Sequence, residues 1–149
     1  MIVDWELSLG FYPGVLLGFR SYPDTGNGLE NHVIFLGRIP QNIELLSITD
    51  CNILSSENEG LPNSVIETLA MGKPFLGTNV NGISEVVGEA YPIPLFQIGD
   101  HKILKINLVK IFNEEFDINS IKEYSLNRIK LFSIHNLIEN YLQLFNSRS

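Results

Sequence analysis

Leu54-Ser55-Ser56-Glu57-Asn58-Glu59-Gly60-Leu61-Pro62-Asn63-Ser64-Val65-Ile66-Glu67-Thr68-Leu69-Ala70-Met71-Gly72-Lys73-Pro74 is the stretch whose reading decides the fold. Asn52-Ile53-Leu54 is a short apolar run ending on polar Ser55, and Pro74-Phe75-Leu76-Gly77 is another, so two buried strands bracket it. Ser64 to Met71 between them forms a helix that meets Gly72 at the C-cap position. Strand, helix, strand at this spacing predicts a parallel βαβ unit, and with it an α/β sheet covered on both faces. The polar loop after Ser55 then crosses the carboxyl edge of the sheet, where ligands bind in open α/β folds. Gly60 lets a ligand approach the backbone and Pro62 stiffens the path into the helix. The first helical turn presents N–H groups whose positive dipole end favours an anion such as a diphosphate. Capping explains the same residues without a ligand: Ser64-x-x-Glu67 is a legitimate capping box, in which Glu67 satisfies a backbone N–H.

Outward from this unit the upstream half reads as short apolar strands separated by turns. Trp5 to Leu9 alternates, Val15 to Phe19 is a compact apolar run, and Ser21 to Asn31 is a polar loop broken by Pro23, Gly26 and Gly28. Val33 to Leu36 is a buried strand closed by Gly37, and Ile43 to Ile48 a short helix after Pro40. From Asp100 onward the chain is helical: Ile103, Ile106, Val109, Ile111 and Phe112 recur at near-helical spacing. So do Ile134, Leu137, Ile138, Tyr141, Leu142 and Phe145. No linker, repeat or low-complexity segment interrupts residues 1–149, which read as one domain with closing helices at its C-terminus.

Composition narrows the partners. The net charge of -7 argues against nucleic acid, which needs clustered Lys and Arg, and disfavours anionic lipid. The basic group Lys122, Arg128 and Lys130 reads as a solvated helix face. No signal segment and no apolar run of about 20 residues is present, so no transmembrane segment is expected. One cysteine, Cys51 in an apolar run, excludes an intrachain disulfide and fits a reducing, cytoplasmic setting as a buried small hydrophobe. His32, His101 and His135 share no metal-ligand spacing and read as surface residues. Trp5, Tyr22 and Tyr91 read as packing aromatics.

The ordered run resembles the group 1 (GT-B fold, retaining) glycosyltransferases. Glu59 and Glu67 stand as in that family's E-x7-E motif, within a pattern that usually reads E-G-x-P-x-x-x-x-E-A-x-A-x-G-x-P and then G-G-x-x-E; here the latter is Asn81-Gly82-Ile83-Ser84-Glu85. Val33 to Arg38 and Leu45 to Cys51 look like the family's third strand, next helix and approach to the fourth strand. The resemblance implies the Rossmann-like, C-terminal half of a GT-B fold, which binds a nucleotide-diphosphate sugar and transfers the sugar with retention. Glu67 would accept hydrogen bonds from the ribose hydroxyls, and Glu59, the catalytic candidate, would lie near the transferred sugar. Amides around Gly60, Leu61, Asn63, Ser64 and Val65 would cradle diphosphate and sugar, and Arg38 and Ile39 would border the base. Glu85 would line the donor pocket, although a helix-start acidic residue explains it equally well. No metal or other cofactor is implied, and the chain has no Asp-x-Asp motif.

Three departures from the family pattern stand out. Thr68 replaces the alanine after the second glutamate, and Asn81 the first glycine of the pair, where asparagine tolerates unusual backbone angles. More seriously, the chain reads as starting near the second strand. The first strand–helix unit, with the Gly-Arg and lysine that hold the diphosphate, would then be absent, and so would the N-terminal acceptor domain. Arg38 sits in the wrong context to replace that arginine, and Lys73 and Arg20 read as turn and loop residues. The central first strand must be replaced by Trp5 to Leu9, by a partner chain or by rearrangement. A separate acceptor-domain chain or a homo-oligomer would complete the site. The rival readings are a non-catalytic binding or assembly module, including a subunit of a split enzyme, and a GT-B epimerase, whose carboxylate and histidine set is not found.

Overall fold

The computed structural model describes three strands in the first part of the chain and then residues 43–146 continuously, with side chains described from Ile43 onward. Strands β1 (Glu6–Leu9), β2 (Leu16–Gly18) and β3 (Val33–Phe35) precede helix α1 (Ile43–Ile48) and strand β4 (Cys51–Leu54). Helix α2 (Asn63–Ala70), strand β5 (Phe75–Gly77) and helix α3 (Asn81–Val87) follow. Helices α4 (His101–Phe112), α5 (Ile118–Arg128) and α6 (Ile134–Asn146) end the chain, with a 3-10 turn at Ile129–Phe132 before α6.

The five strands form one sheet in the order β3-β2-β1-β4-β5. β4 and β5 are parallel, as are β2 and β3, as expected of an α/β sheet. β1 departs from the expectation of an all-parallel sheet, because it runs antiparallel to both β2 and β4. Chain length explains this. Only residues 10–15 join β1 to β2, and a parallel pair needs a crossover of a dozen or more residues (about twice what is available). β1 nevertheless occupies the central place, which belongs to the first strand in the usual order 3-2-1-4-5-6. Of the three ways to fill that place, the chain uses its own Glu6–Leu9. A rudimentary sixth position follows β5, where Phe96 bridges Thr78 in parallel; the Phe96 amide donates to Gly77 and the Asn79 amide to Phe96.

Every residue of β4 and β5 is buried. Successive strand side chains point to opposite faces, so both faces of this part of the sheet are covered. The core joins Ile53, Leu54, Phe75 and Leu76 to Val65 and Leu69 of α2, Ile83, Val86 and Val87 of α3, and Ile121 of α5. Cys51 lies in it, its thiol raised to about 12 by burial and then by the nearby Asp50 carboxylate, so it acts as a small hydrophobe. Tyr91 is also buried; its hydroxyl accepts from the Phe75 amide at 2.7 Å and its ring packs beside Tyr124, which makes it a packing aromatic. Trp5 and Tyr22 lie outside the described residues.

The C-terminal helices form where the pattern predicts, but most of their periodic apolar residues are exposed. In α4, Ile111 of the periodic set is buried, beside Asn107, whereas Ile103, Ile106, Val109 and Phe112 are exposed. α6 buries nothing, although Ile134, Leu137, Ile138, Tyr141, Leu142 and Phe145 form one stripe. The basic group is also split: Lys122 and Lys130 are exposed as expected, whereas Arg128 is half-buried and donates to the carbonyls of Val86 (3.0 Å) and Glu85 (2.5 Å) at the end of α3. A cation there also complements the negative end of the helix.

Candidate active site

The site is assembled where β4 and β5 end. From Leu54 the chain passes through Ser55 and buried Ser56 into the loop holding Glu59 and Gly60, and turns at Pro62 into α2. The amides of Val65 and Ile66 donate to the Pro62 carbonyl at 3.2 and 3.3 Å; those of Asn63 and Ser64 precede the first bonds within the helix. Pro62 occupies the N-cap position without a side-chain bond, so Ser64 lies inside the helix and the capping box does not form. The Glu67 side chain is half-buried, on the second turn of a helix that starts at the carboxyl edge.

Two buried hydroxyl contacts tie this region to the strands. The Asn52 amide of β4 donates to Thr68 Oγ1 at 2.7 Å, and Thr68 Oγ1 donates to the Ser64 carbonyl at 2.6 Å. This explains the threonine that replaces the usual alanine: it supplies the acceptor for a fully buried asparagine. At the strand ends, Thr78 Oγ1 donates to the Ser56 carbonyl at 2.5 Å, and Ser56 Oγ donates to Glu59 Oε1 at 2.6 Å. Glu59 is half-buried at the end of that chain of contacts.

After Thr78 the chain enters helix α3 at Asn81. Among the described residues Asn81 is not one with positive φ, so its tolerance of unusual angles is not used. The constraint falls on Gly82 instead. A Cβ there would collide with the carbonyl oxygens of Glu59 and Gly60, so α3 presses its first turn directly on the loop backbone. On Gly60 a Cβ would meet nothing within 4 Å, so the same loop faces open space on its other side. Leu61 is exposed beside it. Glu85 is exposed on the second turn of α3, and the first turn carries no acid, so the helix-start explanation for Glu85 does not hold.

Other predicted residues divide clearly. Val65 is fully buried with its amide bonded to Pro62, so it packs the helix start and its N–H is not offered to a ligand. Arg38, Ile39, Arg20 and His32 lie outside the described residues. Lys73 is at the opposite, amino edge, donating to the carbonyls of Ser47 (3.0 Å) and Thr49 (2.8 Å) at the end of α1. His101 is exposed at the start of α4, and exposed His135 stands 3.2 Å from Glu139 on α6.

With that geometry in place, the likeness to known proteins is specific. The model of the family "Glycosyl transferases group 1" matches residues 24–127. The chain belongs to this family. As a group 1 glycosyltransferase chain it is 32% identical over 87 residues to N-acetyl-alpha-D-glucosaminyl L-malate synthase of Bacillus anthracis, covering 58% of this chain and 23% of that protein. Its fold superposes on Anabaena HepE in complex with UDP (TM-score 0.70, 21% identity, 80% of this chain and 34% of that one). It also superposes on a glycosyltransferase from Rickettsia africae (0.69, 22%, 80% and 32%). The architecture is thus the Rossmann-like α/β arrangement found in GT-B glycosyltransferases, and the chain spans about a quarter of the length of its curated relatives.

Within this glycosyltransferase fold, sequence reasoning missed Ser56, Thr78 and the packing role of Gly82. Ser56 had a visible signal: a serine three residues before Glu59 in a loop is within reach of its side chain. Thr78 and Gly82 touch the loop only through the tertiary fold.

Proposed function

We propose that this chain forms the donor half of a retaining glycosyltransferase site, holding a nucleotide-diphosphate sugar at the carboxyl edge of β4 and β5. The observation that carries the proposal is the arrangement of Glu59 and Glu67 on either side of the α2 start, with Gly60 open to solvent space. Glu67 accepts from the ribose hydroxyls, and Glu59 meets the transferred sugar. The amides of Gly60, Leu61, Asn63 and Ser64, aided by the helix dipole, take the diphosphate charge that grows as the sugar leaves. Glu85 lines the pocket from α3, and Arg38 and Ile39 border the base. The bond between anomeric carbon and diphosphate breaks, a bond to an acceptor oxygen forms on the same face, and the acceptor's proton passes to the departing diphosphate. No metal takes part, because the helix amides stabilise the leaving group. The reaction is cytoplasmic, with a nucleotide sugar as donor. HepE, similar in fold, binds UDP, which supports this reading.

The acceptor side of such a cleft comes from the remainder of the enzyme, from a separate acceptor-domain chain or from a second copy of this chain. Among the described residues, Lys73 and Arg128 are both committed to helix-end carbonyls, so neither of these two serves as a diphosphate clamp.

The test is titration of UDP, GDP and their glucose conjugates by calorimetry or saturation-transfer NMR. Glu67→Ala should weaken the preferred nucleotide by about 10- to 100-fold, the equivalent of one or two charged hydrogen bonds. If no nucleotide binds at millimolar concentration, or Glu67→Ala changes nothing, a non-catalytic assembly module is the correct reading.

A further inference from the structure

We propose that Ser56 and Thr78 are positioning residues for Glu59, pinning one oxygen of its carboxylate so that the other is presented to the transferred sugar. This rests on the donor-site reading above but assigns work to two residues outside it. Ser56 is fully buried, yet it carries a hydroxyl, and that hydroxyl donates to Glu59 Oε1 at 2.6 Å. The Ser56 backbone is held in turn by Thr78, also buried, whose Oγ1 donates to the Ser56 carbonyl at 2.5 Å. Thr78 is fixed to the sheet, since its amide donates to Leu54 at 3.1 Å and it forms the bridge to Phe96. A chain of contacts therefore runs from the end of β5, across the loop, to a single carboxylate oxygen.

The contacts on the loop's other side complete the frame. Gly82 of α3 lies against the carbonyl oxygens of Glu59 and Gly60, which prevents the loop from moving toward α3. A glutamate on such a loop otherwise has considerable rotamer freedom to lose when a ligand binds. With Oε1 accepting from Ser56, the carboxylate keeps lone pairs on Oε2 for sugar hydroxyls. The hydroxyl donor is neutral, so it orients the carboxylate without cancelling its charge as a lysine would. The ligand chemistry recognised is a sugar hydroxyl, and the bare nucleotide should not sense the contact.

The experiment compares Ser56→Ala, Thr78→Val and the hydroxyl-retaining Ser56→Thr in the full chain, and repeats Ser56→Ala in a Glu59→Ala background. The probes are UDP and GDP alone and their glucose conjugates. A second readout is the 13C resonance of the Glu59 carboxyl carbon without ligand. Ser56→Ala should weaken the sugar conjugate by about 3- to 10-fold, as expected for one lost hydrogen bond, and leave the bare nucleotide unchanged. It should add nothing to Glu59→Ala. Ser56→Thr should recover the affinity, and the Glu59 resonance should move in Ser56→Ala and Thr78→Val. Equal losses for nucleotide and conjugate, or full additivity with Glu59→Ala, would mean general damage to the loop and overturn the proposal. An unmoved Glu59 resonance would overturn it too. If the unmodified chain binds no nucleotide, the donor-site reading fails by itself, and the Glu59 resonance alone decides whether Ser56 orients that carboxylate.

Discussion

At Gly82 the surrounding atoms leave no room for a methyl group, because its neighbours are backbone carbonyls that cannot rotate aside. Two effects of opposite sign meet in Gly82→Ala. Helix propensity alone would stabilise α3 by about 1 kcal/mol. Overpacking against the Glu59–Gly60 backbone costs about 1–3 kcal/mol, and the position is fully enclosed, so the clash should win. Urea unfolding is expected to show a net loss of stability, accompanied by weaker binding of the nucleotide sugar. A gain near the propensity value would show that α3 does not press on the loop. The same residue illustrates how the family pattern divides: the glycine that touches the loop is kept, and the one replaced by Asn81 begins a helix at ordinary φ.

Helix α2 is the element on which both carboxylates depend, and its attachment to β4 is polar as well as apolar. Val65 and Leu69 bury its inner face, and Thr68 between them bonds both Asn52 and the Ser64 carbonyl. Thr68→Ala removes a buried acceptor from the Asn52 side chain and should cost about 1–3 kcal/mol in urea unfolding. The double variant with Asn52→Ala should cost less than the sum of the two single changes, because both substitutions remove the same contact. Simple additivity would show that the Asn52–Thr68 contact carries no energy. Spacing alone revealed α2, its Gly72 stop and the flanking strands. It could not reveal whether Ser64 was cap or helix interior. That choice depends on where Pro62, with its fixed φ and absent N–H, places the first turn.

For the molecule as a whole, the buried core lies around β4, β5, α2, α3 and α5, and the far C-terminal surface is apolar but uncovered. Leu137 and Leu142 of α6 are 55% and 57% exposed, whereas Leu69 of α2 is 0% exposed. Glutamate at either α6 position should change unfolding free energy by less than about 0.5 kcal/mol, while Leu69→Ala should cost about 2–5 kcal/mol. Comparable losses at all three sites would mean that α6 is buried in solution. Among the described residues no helix is long and apolar enough to cross a membrane.

By itself the amino-acid sequence determined the βαβ unit, the α/β class and the pair of glutamates at the helix start, because periodicity, glycine stops and residue spacing are local properties. The direction of β1 was also written there, in the six residues that separate it from β2, but only strand order showed that it fills the centre of the sheet. The tertiary structure alone decided which apolar faces are covered, which cations are committed to helix ends, and how Thr78, Ser56 and Gly82 converge on Glu59. Apart from the local Ser56–Glu59 bond, those contacts join residues distant along the chain, and burial and steric fit arise only when the elements are packed together.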